Sequence, residues 1–238
     1  MRPFAAAALL LFALPACAQD APLGSRIRDP AAVVPEARGG VDQRTLVRQV
    51  MDQFGRCLVA TRPRVADLFV SLPALAPETA KQIDRLDLET CLASATGGQV
   101  TLTMTPEALR GAIFRAAYAR DHMKAAPVMP APGPDGSPPK LPDWAIDIAS
   151  TGGISTAEGA TYVALRQLAA CVVLAKPDIV HRLLLARTAS ADENVAFGEV
   201  APFVGGCVPD GQTLKFSRQL LIGVLAEAMH RMAPATPD

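Results

Sequence analysis

Neither sign of charge is in excess: 23 Lys and Arg balance 23 Asp and Glu over 238 residues. That balance speaks against a nucleic-acid binder, which carries a clustered basic surplus, and against the polybasic block of a protein drawn to anionic lipid. Long apolar runs are missing too. The stretch Phe4 to Leu14 holds about 11 residues against the ~20 that a spanning helix needs, so no transmembrane segment is expected. The sequence also lacks a G-x-S-x-G elbow, a Walker loop, a G-x-G-x-x-G turn after a strand and an H-E-x-x-H pair. No cofactor is expected.

What stands at the N-terminus is the layout of a secretory signal peptide: Arg2, the apolar run, then Pro15, Ala16, Cys17 and Ala18. Ala16-Cys17-Ala18 fits the A-x-A rule and predicts release after Ala18, leaving a soluble periplasmic or secreted chain that begins at Gln19. The alternative is that Leu14 to Cys17 serves as a lipoprotein box, with Cys17 acylated as an anchor, although Pro15 is unusual there. Loss of residues 1–18 removes only Arg2 among the charges, so 23 basic and 23 acidic residues become 22 and 23. Half of all residues are hydrophobic, enough for one large core or two small ones.

Self-similarity organises the rest. With Cys57 laid over Cys171, Pro63 falls on Pro177, Val65 on Ile179, Phe69 on Leu183 and Val70 on Leu184. A second cysteine follows in each copy, Cys91 and Cys207, then Gly98-Gln99 over Gly211-Gln212, then Leu109-Arg110-Gly111 over Leu221-Ile222-Gly223. An ordered series of this kind predicts a duplication. The expected organisation is a signal peptide at 1–18, a flexible segment at 19–40 and helical repeats at 41–125 and 155–232. A Pro-rich linker at 126–154 joins the repeats, and 233–238 is a flexible tail. Seven prolines between Pro127 and Pro142 make that stretch unsuited to a helix or a central strand.

Within each unit the spacing is helical. Leu46, Val47, Val50, Met51, Phe54, Cys57 and Leu58 recur at three and four residues, and Tyr162, Leu165, Leu168, Ala169 and Val172 repeat the pattern. Pro63 and Pro177 suit the first position of a following helix. A short third helix is expected from Glu78 to Leu88. Thr105-Pro106-Glu107 reads as a cap and first turn of a helix to about Lys124, and Ser217 as the cap of its counterpart to Met232. Gln99 to Met104 and Gln212 to Phe216 alternate enough to be short extended segments. The fold class expected is mainly α, with the two repeats packed as a two-lobed body about a pseudo-twofold axis. Gly111 and Gly223, at matching places in the last helix of each unit, would lie at its centre.

Four cysteines remain after the signal peptide. In an exported chain an even number predicts disulfides. Four allow three pairings, and a duplicated unit that once folded alone selects Cys57 with Cys91 and Cys171 with Cys207. No C-x-x-C is present and no histidine completes a zinc set, so neither redox chemistry nor a metal site is expected.

The remaining candidates for chemistry are few. His122, His181 and His230 lack equivalents in the other copy and show no clustering in sequence; His230 falls near Tyr118 and His181 near Asp67. Glu227, His230 and Arg231 share one side of a helix, which makes Glu227 and His230 the catalytic candidates, as a general base with its orienting partner. Arg56, Arg62 and Arg64 form a local basic group that could receive a carboxylate or phosphate, though helix ends favour cations anyway. Trp144, the sole tryptophan, could stack a ligand or pin the linker to the body. The function expected is non-enzymatic binding of an envelope protein or small ligand. A periplasmic hydrolase with its acid and base groups on the second repeat is the alternative.

Overall fold

The computed structural model describes residues 42–73, 77–83, 85–86, 88–96, 105–130, 140–146, 156–208 and 216–233, and among them it is mainly helical, with no strand. The signal-peptide reading, both expected extended segments apart from Phe216, and much of the linker lie outside the described residues.

Caps and prolines set the helix boundaries. Helix α1 (Gln43–Thr61) starts at Asp42, whose carboxylate accepts from the backbone N–H of Arg44 at 2.8 Å and Thr45 at 3.1 Å. It stops at Arg62, and Pro63 opens α2 (Pro63–Ser71). The same device recurs where α7 (Thr156–Ala175) gives way at Lys176 to α8 (Pro177–Leu185), and the two junction residues have nearly the same backbone angles, φ −132° and ψ 56° at Arg62 against φ −146° and ψ 60° at Lys176. Thr105 caps α5 (Pro106–His122) and Ser217 caps α10 (Arg218–Met232), each accepting from the third residue onward.

One helix departs from the sequence-based expectation, and two more form where the sequence places none. The third helix is shorter than expected, α3 (Pro77–Ile83), because the chain turns at Arg85 and Leu86; a separate α4 (Leu88–Thr96) then carries Cys91. Just past the proline-rich stretch 127–142 stands one helical turn, α6 (Asp143–Ile146), directly after Pro142, where the missing N–H of proline costs nothing. Helix α9 (Ala191–Gly206) contains Pro202 and three glycines, residues that argue against a helix. It forms because Ser190 caps it and Asp192 and Glu193 occupy its positive end.

Helices α5 and α10 are buried along nearly their whole length and pack on one another at the centre. Helix α1 lies on α5 and α7 on α10, with α2 against α5 and α8 against α10. One continuous apolar core results, running from Phe54, Phe69 and Phe114 to Leu168, Leu184 and Leu225. The crossing of α5 and α10 is unusually close: a Cβ on Gly111 would sit 2.7 Å from the α-carbon of Gly223, and one on Gly223 would sit 2.8 Å from that of Gly111. Only glycine allows this approach. Past the crossing the two helices lie to the same side, since His230, seven residues beyond Gly223, meets the ring of Phe114, three beyond Gly111.

Disulfides join Cys57 to Cys91 and Cys171 to Cys207, with α-carbons 5.5 and 5.7 Å apart. Each ties a long helix to an outer one, α1 to α4 and α7 to the end of α9. Sequence separations of 34 and 36 residues place the loop-closure contribution at roughly 3.5 to 4 kcal/mol each before native strain is subtracted. Non-reducing peptide mapping is expected to return these two linkages alone. Replacing Cys57 and Cys91 together by serine should lower the urea-unfolding free energy by about 2 to 4 kcal/mol. A peptide joining Cys57 to Cys171 would refute the pairing.

Candidate functional site

The chemically rich part of the molecule is its buried centre, where α5 and α10 carry ionised side chains among apolar ones. Glu227 of α10 is 2 % exposed and faces three guanidinium groups. Arg110 of α5 approaches it at 3.2 Å, Arg166 of α7 at 2.9 Å and Arg231 of its own helix at 3.0 Å, while the Tyr162 hydroxyl donates at 2.7 Å. Burial alone would raise the carboxyl of Glu227. The three guanidinium groups outweigh it and hold the group well below the usual carboxylate range. Burial, reinforced by that carboxylate, pushes the Tyr162 phenol up, so it stays a donor.

The surplus of positive charge meets backbone oxygen and aromatic faces. Arg110 and Arg231 both donate to the carbonyl of Leu72, at 2.9 and 3.1 Å, and Arg231 to that of Val70 at 3.3 Å, so the negative end of α2 is neutralised. Arg110 also lies over the rings of Phe114 and Phe69. Trp144 rests against Arg166 and Arg231, and its carbonyl accepts from Arg166 at 3.1 Å, which fastens the linker turn to this cluster.

A second cluster surrounds Arg115 of α5. Its guanidinium donates to the carbonyls of Leu184 at 3.1 Å and Ala186 at 2.7 Å, to the Thr188 hydroxyl at 2.8 Å and to Glu193 at 3.3 Å, with Asp52 3.7 Å away. Glu193, wholly buried at the start of α9, also binds Arg48 of α1 and accepts from the backbone N–H of Ala189 at 2.9 Å.

One ion pair of each cluster shares the same sequence offsets, with the charges exchanged, while Arg110 and Arg231 fall on Ile222 and Ala119 and have no charged counterpart. Arg115 is four residues past Gly111, and Glu227 four past Gly223; Asp52 is five before Cys57, and Arg166 five before Cys171. Thus Asp52 with Arg115 occupies the places of Arg166 with Glu227. The carbonyls agree as well: Val70 and Leu72 lie 13 and 15 residues past Cys57, as Leu184 and Ala186 do past Cys171.

Helices α5, α8 and α10 bring all three histidines, which share no spacing in the sequence, to one neighbourhood at a helix interface. Tyr118, wholly buried on α5, shares a hydrogen bond of 2.7 Å with Nδ1 of His181, and His122 stacks beside the same ring at 4.8 Å. His230 stands edge-on to Phe114 at 5.5 Å, one turn away.

Among the catalytic candidates, Glu227 is hydrogen-bonded to arginines and Tyr162, and His230 is not one of its partners; the i,i+4 neighbour that pairs with it is Arg231. The Arg56, Arg62 and Arg64 group divides: Arg56 pairs with Asp52 at 2.9 Å, Arg62 sits at the α1–α2 junction, and Arg64 is exposed on α2. Among the described residues no cluster of three or more His, Cys, Asp or Glu could hold a metal, and no helix is long and apolar enough to cross a membrane.

Sequence reasoning passed over Arg110, Arg115, Arg166 and Glu193. A signal did exist: Leu109 to Ala119 leaves no polar face to receive Arg110 and Arg115, and Glu227 is the sole acid of α10. Charges on helices without a wet face require buried partners. Comparison of this chain with protein-family models, with curated proteins and with solved structures finds no match.

Proposed function

We propose that this is an exported, non-enzymatic binding protein, a duplicated helical body whose two halves join about a pseudo-twofold axis through Gly111 and Gly223. The observation that carries it is the engagement of the buried polar groups: Glu227 is consumed by three arginines and a tyrosine, leaving a rigid scaffold in place of a reactive carboxylate. A general base must take up a proton near the working pH and reach a substrate, whereas Glu227 is buried and held deprotonated.

The charge-exchanged correspondence of Asp52 with Arg166 and of Arg115 with Glu227 supports the duplication. The two disulfides suit an oxidising compartment. Exposed apolar side chains supply contact surface: the ion pair of Asp67 with Arg120 joins the outer side of α2 to the end of α5, close in sequence to Leu68, 43 % exposed, and Met123, 65 % exposed. Large exposed apolar groups are a signature of protein-binding surfaces when they gather.

Photo-crosslinkers placed at Leu68 and Met123 in the full chain, expressed in its own envelope, should give discrete protein adducts. Intact mass of the purified chain should begin at Gln19. Absence of adducts at both positions, together with ester, amide or glycoside hydrolysis by the purified folded chain, would replace the binding reading with the enzymatic one. A diacylated Cys17 would replace soluble release with a lipid anchor.

A further inference from the structure

We propose that His122, His181 and His230 form an acid-sensitive latch at the junction of α5, α8 and α10, holding α8 on the central pair only while their imidazoles are neutral. The geometry behind it is the convergence of three helices on Tyr118 and Phe114. Tyr118 is wholly buried, and its hydroxyl meets Nδ1 of His181, so this bond joins α5 to α8. His122 packs on the same phenol ring, and His230 brings α10 to Phe114.

A proton added to Nδ1 of His181 would reverse its bond, the Tyr118 oxygen then accepting, whereas one added at His230 finds nothing among the described residues to receive it. Nδ1 of His230 is buried without a hydrogen-bond partner among the described residues, so an imidazolium at that place would present an N–H with no acceptor. Two of the charges that act on these rings, Arg120 and Arg231, are cations. The anions are Asp121 of α5, Asp178 of α8 and, through its pair with Arg120, Asp67 of α2. Asp121 is itself taken up by Arg120 at 2.6 Å. Among the described residues no charged side chain of α1, α7 or α9 forms a hydrogen bond or ring contact with the three imidazoles. The like charges would also repel one another, since His122 acts on both His181 and His230.

Burial, the largest cause in each case, holds all three imidazoles below their ordinary value. The unfolded chain therefore binds protons first as the pH falls. Stability is full above the ordinary histidine range of about 6.5 and is lost as the pH drops below it toward the folded values. Carboxylates enter only below about 4.5, so an interval between roughly pH 6.5 and 5 belongs to the histidines.

Hydrogen exchange of the full mature chain, corrected for intrinsic rates, tests the latch. Between pH 7.5 and 5.0, protection should fall in 177–185 and in the last turns of α5 and α10 while α1 keeps its own, and the urea midpoint should drop. In a His181→Asn, His230→Phe double variant that drop should shrink by about half or more. An unchanged drop in the double variant, or loss of protection spread evenly over all helices, would overturn the proposal. Should the variant not fold, the ring-proton titration of the wild-type chain decides: imidazoles titrating at or above about 6.5 rule the latch out.

Discussion

Replacing Gly111 with alanine should lower the unfolding free energy of the mature chain by about 2 to 3 kcal/mol, although alanine is the better helix former by ~1 kcal/mol. The new methyl would lie 2.7 Å from the α-carbon of Gly223, and a backbone atom cannot rotate aside as the tip of a side chain can. Helices α5 and α10 would have to separate, which disturbs the packing of Phe114, Leu221 and Leu225 in the shared core. Gly223→Ala should cost a similar amount for the same reason. Gly198, on the exposed side of α9, supplies the contrast: a Cβ there meets nothing within 4 Å, so Gly198→Ala should stabilise by about 0.5 to 1 kcal/mol. Urea denaturation of the three variants checks this. A neutral or stabilising Gly111→Ala would show that the two helices do not cross at these residues, and two separate transitions would show that the halves unfold independently.

The elements readable from sequence were those whose signal is local. Thr105-Pro106-Glu107 and Ser217 mark the starts of α5 and α10, and Pro63 and Pro177 mark α2 and α8, because caps and prolines act through the immediate backbone. The cysteine pairing was readable through the correspondence of Cys57 with Cys171, which reduced three possibilities to one. Helix α9 was not. Gly198, Pro202, Gly205 and Gly206 disfavour a helix locally and mask the start signal of Ser190, Asp192 and Glu193, and long-range partners complete its hold: Arg48 and Arg115 on Glu193, and the bond to Cys171 at its end. The turn at Arg85 and Leu86 that separates α3 from α4 carries no proline or glycine to announce it.

The candidate site was harder to read than the fold. The i,i+4 spacing of Glu227 and Arg231 is visible in the sequence, and the structure has that pair at 3.0 Å. Its other partners come from 117 residues away in Arg110 and 61 in Arg166, separations across which no periodicity carries information. The histidines fail for the same reason: positions 122, 181 and 230 share no sequence spacing, and only the packing of α8 and α10 on α5 brings them together. What the sequence does carry is the incompatibility of Arg110 and Arg115 with a helix that has no solvated face.

Glu227→Gln should be among the most destabilising substitutions of a polar residue in this chain, at about 3 to 5 kcal/mol. The amide keeps the shape and can still accept from Tyr162, so what is lost is charge: three guanidinium groups, two of them no more than 3 % exposed, would remain without a counter-ion. Removing one partner of a buried pair leaves the full desolvation cost of the other, which is why the effect exceeds the small net worth of an intact buried ion pair. The exposed pair of Arg182 with Glu199, with 56 and 40 % of their side-chain surfaces open, is the control; Glu199→Gln should cost no more than about 1 kcal/mol. The pH dependence separates charge from shape. The folded carboxyl of Glu227 is depressed, so its contribution is fully present above the unfolded carboxyl value of about 4.3 and is lost as the pH falls below it. The deficit of the glutamine variant should therefore be complete at pH 7 and narrow as the pH falls below about 4, where the wild-type group begins to lose its advantage. Urea midpoints of both chains at pH 7.0, 5.0 and 3.5 measure it. A deficit that stays constant across that range would assign the loss to packing and not to the carboxylate among its three arginines.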